Sequence, residues 1–175
     1  MKRLILAAFA ALAAASPAAA ETRIFSYDPV SPDARRLTGT GLTFLFETRM
    51  LGGGKVRKIM ATAVPASAEV KSVGVGALGK GAPVGPGDIY EIDAEKAQGK
   101  VYVRAFCPGS TRVWLAVGTL RHGRDLKVQV LGDDPAGGPA RACAEMEFAY
   151  RGEWRLGNGT RPDPFEDTFD SNLRF

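Results

Sequence analysis

Residues 112–131, RVWLAVGTLRHGRDLKVQVL, contain two runs of alternating apolar residues on either side of a turn. The apolar positions that share one face of each run are Val113, Leu115, Val117, Leu126, Val128 and Val130. A two-residue turn at His122-Gly123 pairs Val117 with Val128 and Leu115 with Val130, because glycine adopts positive φ freely and histidine tolerates it. The turn and the hydrophobic pattern give the same register, so the segment predicts an antiparallel β-hairpin.

The rest of the chain repeats this pattern of short β-like runs separated by glycine and proline, which is typical of all-β folds. Candidate strands are 22–27, 42–49, 56–64, 68–76, 88–93, 101–107, 112–120, 125–131 and 142–150. One helix is predicted near 31–38, where Ser31 can cap, Pro32 suits the first helical position and Gly39 can end the helix. We therefore expect a single-domain antiparallel β-sandwich or Greek-key barrel with one short helix.

The amino terminus predicts export. Lys2 and Arg3 precede an apolar run over 4–15, and Ala18-Ala19-Ala20 supplies a small-residue cleavage site. The run of about 12 residues is shorter than the roughly 20 that a membrane helix needs. Residues 1–20 are therefore interpreted as a cleavable signal peptide, and we expect a periplasmic or secreted chain with no membrane span once it is cleaved.

The mature chain divides into two parts. Residues 21–156 hold the candidate strands and predict a β-rich globular domain, whose length is typical of one domain. Residues 74–87 are rich in glycine and proline and predict a surface loop. Residues 157–175 have few apolar positions and predict a flexible tail.

Two cysteines, Cys107 and Cys143, remain in a chain predicted to enter an oxidising compartment, which favours a disulfide. A flat meander would place strands 101–107 and 142–150 roughly 14 Å apart, whereas a disulfide needs Cα atoms within about 7 Å. Either the sheet curls strongly, or strand 142–150 returns beside strand 101–107 in Greek-key order. Cys143 is out of phase with the apolar face of its own strand, which a β-bulge or a disulfide at the sheet edge would reconcile.

No catalytic, metal or cofactor motif is found. His122, the one histidine of the chain, is interpreted as a solvated turn residue. Gly52-Gly53-Gly54-Lys55 lacks the first glycine and the Ser/Thr of a phosphate loop and predicts a turn. The acidic residues within 88–95 and 163–170 do not match a calcium-loop spacing. The charge of +4 falls to +2 without Lys2 and Arg3, and no basic stripe indicates a nucleic-acid partner.

The candidate binding residues lie on two neighbouring predicted strands. They are Tyr102, Arg104, Phe106, Arg112 and Trp114. If this face is exposed, its aromatic and basic side chains can stack on a ligand or a partner. The alternative is that the aromatic residues form a second packed layer.

The carboxyl terminus resembles the aromatic-ended signature of outer-membrane β-barrels over seven residues, through Phe169, Leu173 and Phe175. The resemblance implies a small membrane barrel, although strands such as 88–93 are shorter than the about 9–11 residues such barrels use. Our leading hypothesis is an exported non-enzymatic binding or structural protein of the cell envelope, whose partner is an envelope protein or a glycan. The alternatives are this outer-membrane barrel and an exported hydrolase that uses carboxylates.

Overall fold

The computed structural model describes residues 22–48 and 54–156, and these residues form eight strands and two α-helices. The strands are β1 (Thr22–Pro29), β2 (Leu42–Thr48), β3 (Gly54–Ala61), β4 (Ser67–Val73), β5 (Asp88–Ile92), β6 (Val113–Val117), β7 (Leu126–Gly132) and β8 (Arg141–Leu156). The helices are α1 (Pro32–Thr38) and α2 (Ala97–Phe106), with a short 3₁₀ helix at Val75–Leu78. The predicted signal peptide, residues 52–53 of the predicted glycine turn and the predicted tail lie outside the described residues.

The strands close into an antiparallel barrel. Each strand pairs with the next in chain order, and β8 pairs with β1. The predicted antiparallel, β-rich architecture is therefore confirmed, but the strand order is a closed meander in place of the expected sandwich or Greek-key arrangement. The sheet does curl into a barrel, but Cys107 follows α2, so both predicted ways of bringing the cysteines together assumed a strand that does not form.

The β6–β7 hairpin has the predicted register. Leu115 lies opposite Val130 and Val117 opposite Val128, with all four side chains buried in the barrel interior. Gly123 has a φ of 68°, as the turn requires. Lys127, which lies between the buried Leu126 and Val128 on β7, points outward and is exposed.

Helix α1 forms where its capping residues predict it. The Ser31 side chain accepts a hydrogen bond from the Ala34 amide at 3.2 Å, and Gly39 follows the last turn with a φ of 66°. Ala34 and Leu37 are buried, and the helix packs against β8 and β1. The local capping signals therefore identified this helix correctly.

The predicted strand 101–107 is wrong, because this segment lies in α2. Its β-branched and aromatic residues favour strands in general, but Tyr102, Val103 and Phe106 share one face of a helix and are buried. The Tyr102 hydroxyl accepts a hydrogen bond from the Ala61 amide at 2.8 Å and donates one to the Ala66 carbonyl at 2.7 Å. Tertiary packing against the β3–β4 connection thus overrides the local preference.

Both helices lie at the same end of the barrel. In a closed meander the odd-numbered strands all run in one direction, and α1 follows β1 while α2 follows β5. We call this the helix end. The opposite end, which we call the mouth, is where β1 begins, β8 finishes and the β6–β7 turn lies.

Cys107 and Cys143 form a disulfide with Cα atoms 5.6 Å apart. Cys107 follows the last residue of α2, so the bond joins a helix terminus to β8. Val130 lies opposite Ala144 and Leu131 opposite Ala142, which leaves Cys143 as the extra residue of a bulge. A bulge was one of the two explanations that the sequence allowed for this out-of-phase cysteine.

Residues 74–87 cover part of the outer barrel surface. Trp114, Ala116 and Leu131 point outward and pack against Leu78 and Ile89 in a second apolar cluster. The Gln129 side chain accepts a hydrogen bond from the Gly85 amide at 2.8 Å and donates one to the Pro83 carbonyl at 2.9 Å. The predicted loop is therefore fixed against the barrel.

The Asp133 side chain forms hydrogen bonds with the two residues that precede β6. Its carboxylate accepts hydrogen bonds from the Thr111 amide and hydroxyl and from the Arg112 amide, at 2.8, 2.5 and 3.0 Å. Partial burial opposes ionisation, but the hydrogen bonds from Arg112 and Thr111 outweigh it and lower the pKa of Asp133. The ionised carboxylate therefore stabilises this connection.

Candidate functional site

The five predicted binding residues do not share one surface. Tyr102 and Phe106 are buried inside the helix end, with ring centroids 5.3 Å apart. Trp114 is 2% exposed and lies outside the barrel wall, beneath residues 74–87. Arg104 is exposed on α2, while Arg112 lies over the Trp114 ring at 4.9 Å and forms a bidentate ion pair with Glu91. The aromatic residues thus occupy two packed layers.

The predicted acidic cluster at 88–95 is part of an ion-pair arrangement. Besides the Glu91 pair, Asp93 lies 3.3 Å from the Lys71 ammonium. Within residues 22–48 and 54–156, no group of three or more potential metal ligands lies together. The second predicted acidic cluster, 163–170, falls outside these residues.

A cluster of polar and aromatic side chains lies at the mouth. We call it the mouth cluster, and its members are Arg23, Phe25, Tyr27, His122, Tyr150 and Glu153. Arg23, Phe25 and Tyr27 alternate along β1, with Phe25 and Tyr27 in the barrel core. Phe25 lies opposite Glu153 and Tyr27 opposite Tyr150. Two residues three apart would normally face opposite sides of a strand, but a shift in the β1–β8 register leaves one extra residue between them. The bulge therefore brings Tyr150 and Glu153 to the same side.

Glu153 is the charged centre of this mouth cluster. Its side chain is 5% exposed, and the Arg23 Nε and Nη2 atoms both lie 2.5 Å from its Oε1 atom. The Arg23 guanidinium also lies over the Phe25 ring, 5.0 Å from the centroid. A nearly buried carboxylate needs such a partner because desolvation of an unpaired charge is costly.

His122 reaches the cluster from the β6–β7 turn. Its Nδ1 atom lies 2.9 Å from the Tyr150 hydroxyl and 3.3 Å from Glu153 Oε2. The side chain is 76% exposed, which agrees with the predicted turn position, but these two contacts were not predicted. Because both partners contact the same nitrogen, the ring cannot relay a proton between them through its two nitrogens, as the histidine of a catalytic triad does.

The Tyr27 hydroxyl is the unusual group of the mouth cluster. Tyr27 is fully buried, and its hydroxyl has no hydrogen-bond partner among the described residues. Its ring makes edge contacts with those of Phe44 and Tyr150, at centroid distances of 6.0 and 5.9 Å. Burial raises the pKa of Tyr27, and electrostatic interactions with Tyr150, Glu153 and Asp125 raise it further. The phenol therefore stays protonated and able to donate.

One other buried side-chain atom in the described ranges lacks a hydrogen-bond partner, namely Trp114 Nε1. It belongs to the apolar cluster beneath residues 74–87. The Tyr27 hydroxyl differs because it lies beside ionisable groups at an end of the barrel. We therefore take the mouth cluster as the candidate site.

Sequence reasoning missed this site, although one signal was present. Arg23 is in phase with Phe25 and Tyr27, so it places a charge on the core face of β1. A charge in phase with core residues indicates a buried partner. The partner, Glu153, is 130 residues away in the chain, and the bulge that positions it has no local signature.

Comparisons with protein-family models, with curated proteins and with solved structures gave no match. Neither helix in the described ranges has the length and apolar character needed to cross a membrane.

Proposed function

We propose that this protein is an exported, non-enzymatic binding protein of the cell envelope that receives a small ligand at the barrel mouth. The observation that carries this proposal is the buried, unpartnered Tyr27 hydroxyl beneath Tyr150 and Glu153. Leaving such a hydroxyl without a partner costs about 1–3 kcal/mol. A phenylalanine would fill the same space without that cost, and departures of this kind are expected at functional sites.

The barrel geometry supports a small ligand. An interior enclosed by eight strands is just wide enough for side chains or for one small molecule. Here the helix end is filled by Tyr102 and Phe106, whereas the mouth holds polar groups. Binding sites typically combine aromatic walls with a few fixed polar groups, which is the composition of the mouth cluster.

The hydrolase alternative has less support. A hydrolase of this kind needs two carboxyl groups that are available to donate and accept protons. Glu153 is engaged by Arg23, and the Asp125 carboxylate accepts a hydrogen bond from the Tyr150 amide at 3.0 Å. Ser110 is not an alternative nucleophile, because its hydroxyl donates to the Asp133 carbonyl at 3.1 Å.

The distribution of charge supports an aqueous envelope compartment over insertion as an outer-membrane barrel. Barrels in membranes are apolar outside and polar inside. In this chain Lys127, Glu145 and Glu147 are exposed on adjacent strands, while Val128 and Met146 between them are buried. The disulfide is compatible with an oxidising compartment.

Two measurements test the proposal. If the chain is exported, the mature protein should begin at Glu21, and the intact mass of the exported fraction measures this. A mass that includes residues 1–20 would contradict export with cleavage. Binding is tested by titrating isotope-labelled protein with neutral and charged monosaccharides, N-acetylated sugars and short peptides. Chemical-shift changes centred on Tyr27, Tyr150 and Glu153 are expected from at least one compound. Changes confined to α2 or residues 74–87, or none at all, would refute a ligand site at the mouth.

A further inference from the structure

The chemistry of the Tyr27 hydroxyl limits what can bind beside it. The group is a donor, because burial and nearby negative charge keep it protonated. An anion that accepts a hydrogen bond from this buried hydroxyl would lose its hydration, which is costly unless a cation pairs with it. The Arg23 and Arg155 side chains, 2.5 and 3.8 Å from the Glu153 carboxylate, already pair with that carboxylate. An uncharged acceptor oxygen is therefore favoured over a carboxylate or a phosphate.

The surroundings of Tyr27 favour an apolar group next to that oxygen. The rings of Phe44 and Tyr150 contact Tyr27 edge to face, and Phe25 contacts Phe46 in the same way at 6.0 Å. Such walls accept a methyl or methylene group readily but give no hydrogen bonds. A small molecule that fits them combines a single acceptor with an apolar neighbour.

The contacts also indicate a route of entry. Tyr27 is buried, Tyr150 is half-buried, and His122 is exposed, and each contacts the next. The Tyr150 hydroxyl contacts His122 Nδ1, and the Tyr150 backbone amide donates a hydrogen bond to the Asp125 carboxylate. Movement of the Tyr150 side chain and the β6–β7 turn would expose the Tyr27 hydroxyl without opening the barrel wall.

We propose that the mouth binds an uncharged carbonyl compound, of which an acetamide group is the simplest form, with the Tyr27 hydroxyl donating to the carbonyl oxygen. This inference rests on the proposed function, since it names the chemical class of the ligand for the same site. The acetamide group has two sources in a cell envelope, N-acetylated sugars and acylated peptides. Both present a neutral carbonyl oxygen beside a methyl group.

The test uses two probes of nearly the same shape that differ in charge. Acetamide and acetate are titrated separately into labelled protein with its disulfide intact, and the signals of the Tyr27 and Tyr150 rings are followed. We expect acetamide to shift these signals and acetate to bind at least about tenfold more weakly. N-acetylglucosamine and N-acetylalanine methylamide are then compared, and the tighter of the two identifies the source.

Tyr27→Phe removes the proposed donor and little else. It should weaken acetamide binding about three- to tenfold, the loss expected for one hydrogen bond. Tyr102→Phe, which removes a phenol at the helix end, is the matched control and should leave acetamide binding unchanged. The comparison of acetamide with acetate uses the unaltered protein, so it does not depend on whether either variant folds.

Each contrary result has a distinct meaning. Equal or tighter binding of acetate at the mouth would overturn the neutral-carbonyl inference while leaving the proposed binding function intact. Unchanged acetamide binding by Tyr27→Phe would show that the hydroxyl is not the donor, and would also overturn the inference. If neither these probes nor any compound of the wider titration affects the mouth, both proposals fail.

Discussion

Tyr27 and Tyr102 allow a matched comparison, because both are fully buried and differ in what their hydroxyls contact. In Tyr102→Phe, the Ala61 amide and the Ala66 carbonyl lose their shared partner. Two groups left unpaired in this way should lower the free energy of unfolding by about 2–4 kcal/mol. Tyr27→Phe removes a hydroxyl that has no partner, so it should raise the free energy of unfolding by about 1–2 kcal/mol.

Urea unfolding at neutral pH, with the disulfide intact, measures both values. For a domain of this size each kcal/mol corresponds to roughly 3 °C in melting temperature. The two variants should therefore melt on opposite sides of the unaltered protein, although each loses one oxygen atom. A destabilisation of Tyr27→Phe comparable to that of Tyr102→Phe would refute the reasoning, because it would mean that the Tyr27 hydroxyl makes a stabilising hydrogen bond.

Three further predictions concern other parts of the fold. Replacing Cys107 and Cys143 together by serine should cost about 2–5 kcal/mol of stability, and thiol titration of the unfolded, non-reduced protein should find no reactive thiol. Arg23→Met should cost about 2–3 kcal/mol by removing the nearest cation from the nearly buried Glu153 carboxylate, and adding Glu153→Gln should restore most of it, as a double-mutant cycle in urea would show. Because the pKa of Asp133 is lower in the folded chain than in the unfolded one, its carboxylate stabilises the fold above the unfolded pKa, and this stability is lost as the pH falls through the folded pKa. Asp133→Asn should therefore cost on the order of 1 kcal/mol at pH 7 and much less at pH 3, and an equal cost at both values would contradict this assignment.

The features that could be predicted from the sequence are those fixed by neighbouring residues. The cap and stop residues Ser31 and Gly39 define α1 without reference to the rest of the chain. The β6–β7 register follows from the turn and from residues on either side of it. The out-of-phase Cys143 indicated a bulge, because the position of one residue conflicted with an otherwise regular pattern.

The features that could not be predicted depend on contacts between distant residues. Strand preferences of 101–107 are local, whereas the helix is selected by where Tyr102 and Phe106 can pack and by the hydrogen bonds that Tyr102 makes. Barrel closure depends on pairing of β1 with β8, which no local pattern specifies. The mouth cluster depends on both this pairing and its bulge, so its residues looked unrelated in the sequence.

Pairing of the first strand with the last also has a consequence for folding. Arg23 and Glu153 are separated by 130 positions, so the contact between them closes nearly the whole of the described chain. Pairings of such high contact order form slowly, because the chain entropy of a long loop is lost before the contact compensates for it. During synthesis β1 is made first and keeps one unpaired edge until β8 has emerged, and an unpaired edge strand can associate with other chains. Aggregation during folding should therefore depend on how quickly the last strand becomes available, more than on the stability of the finished barrel.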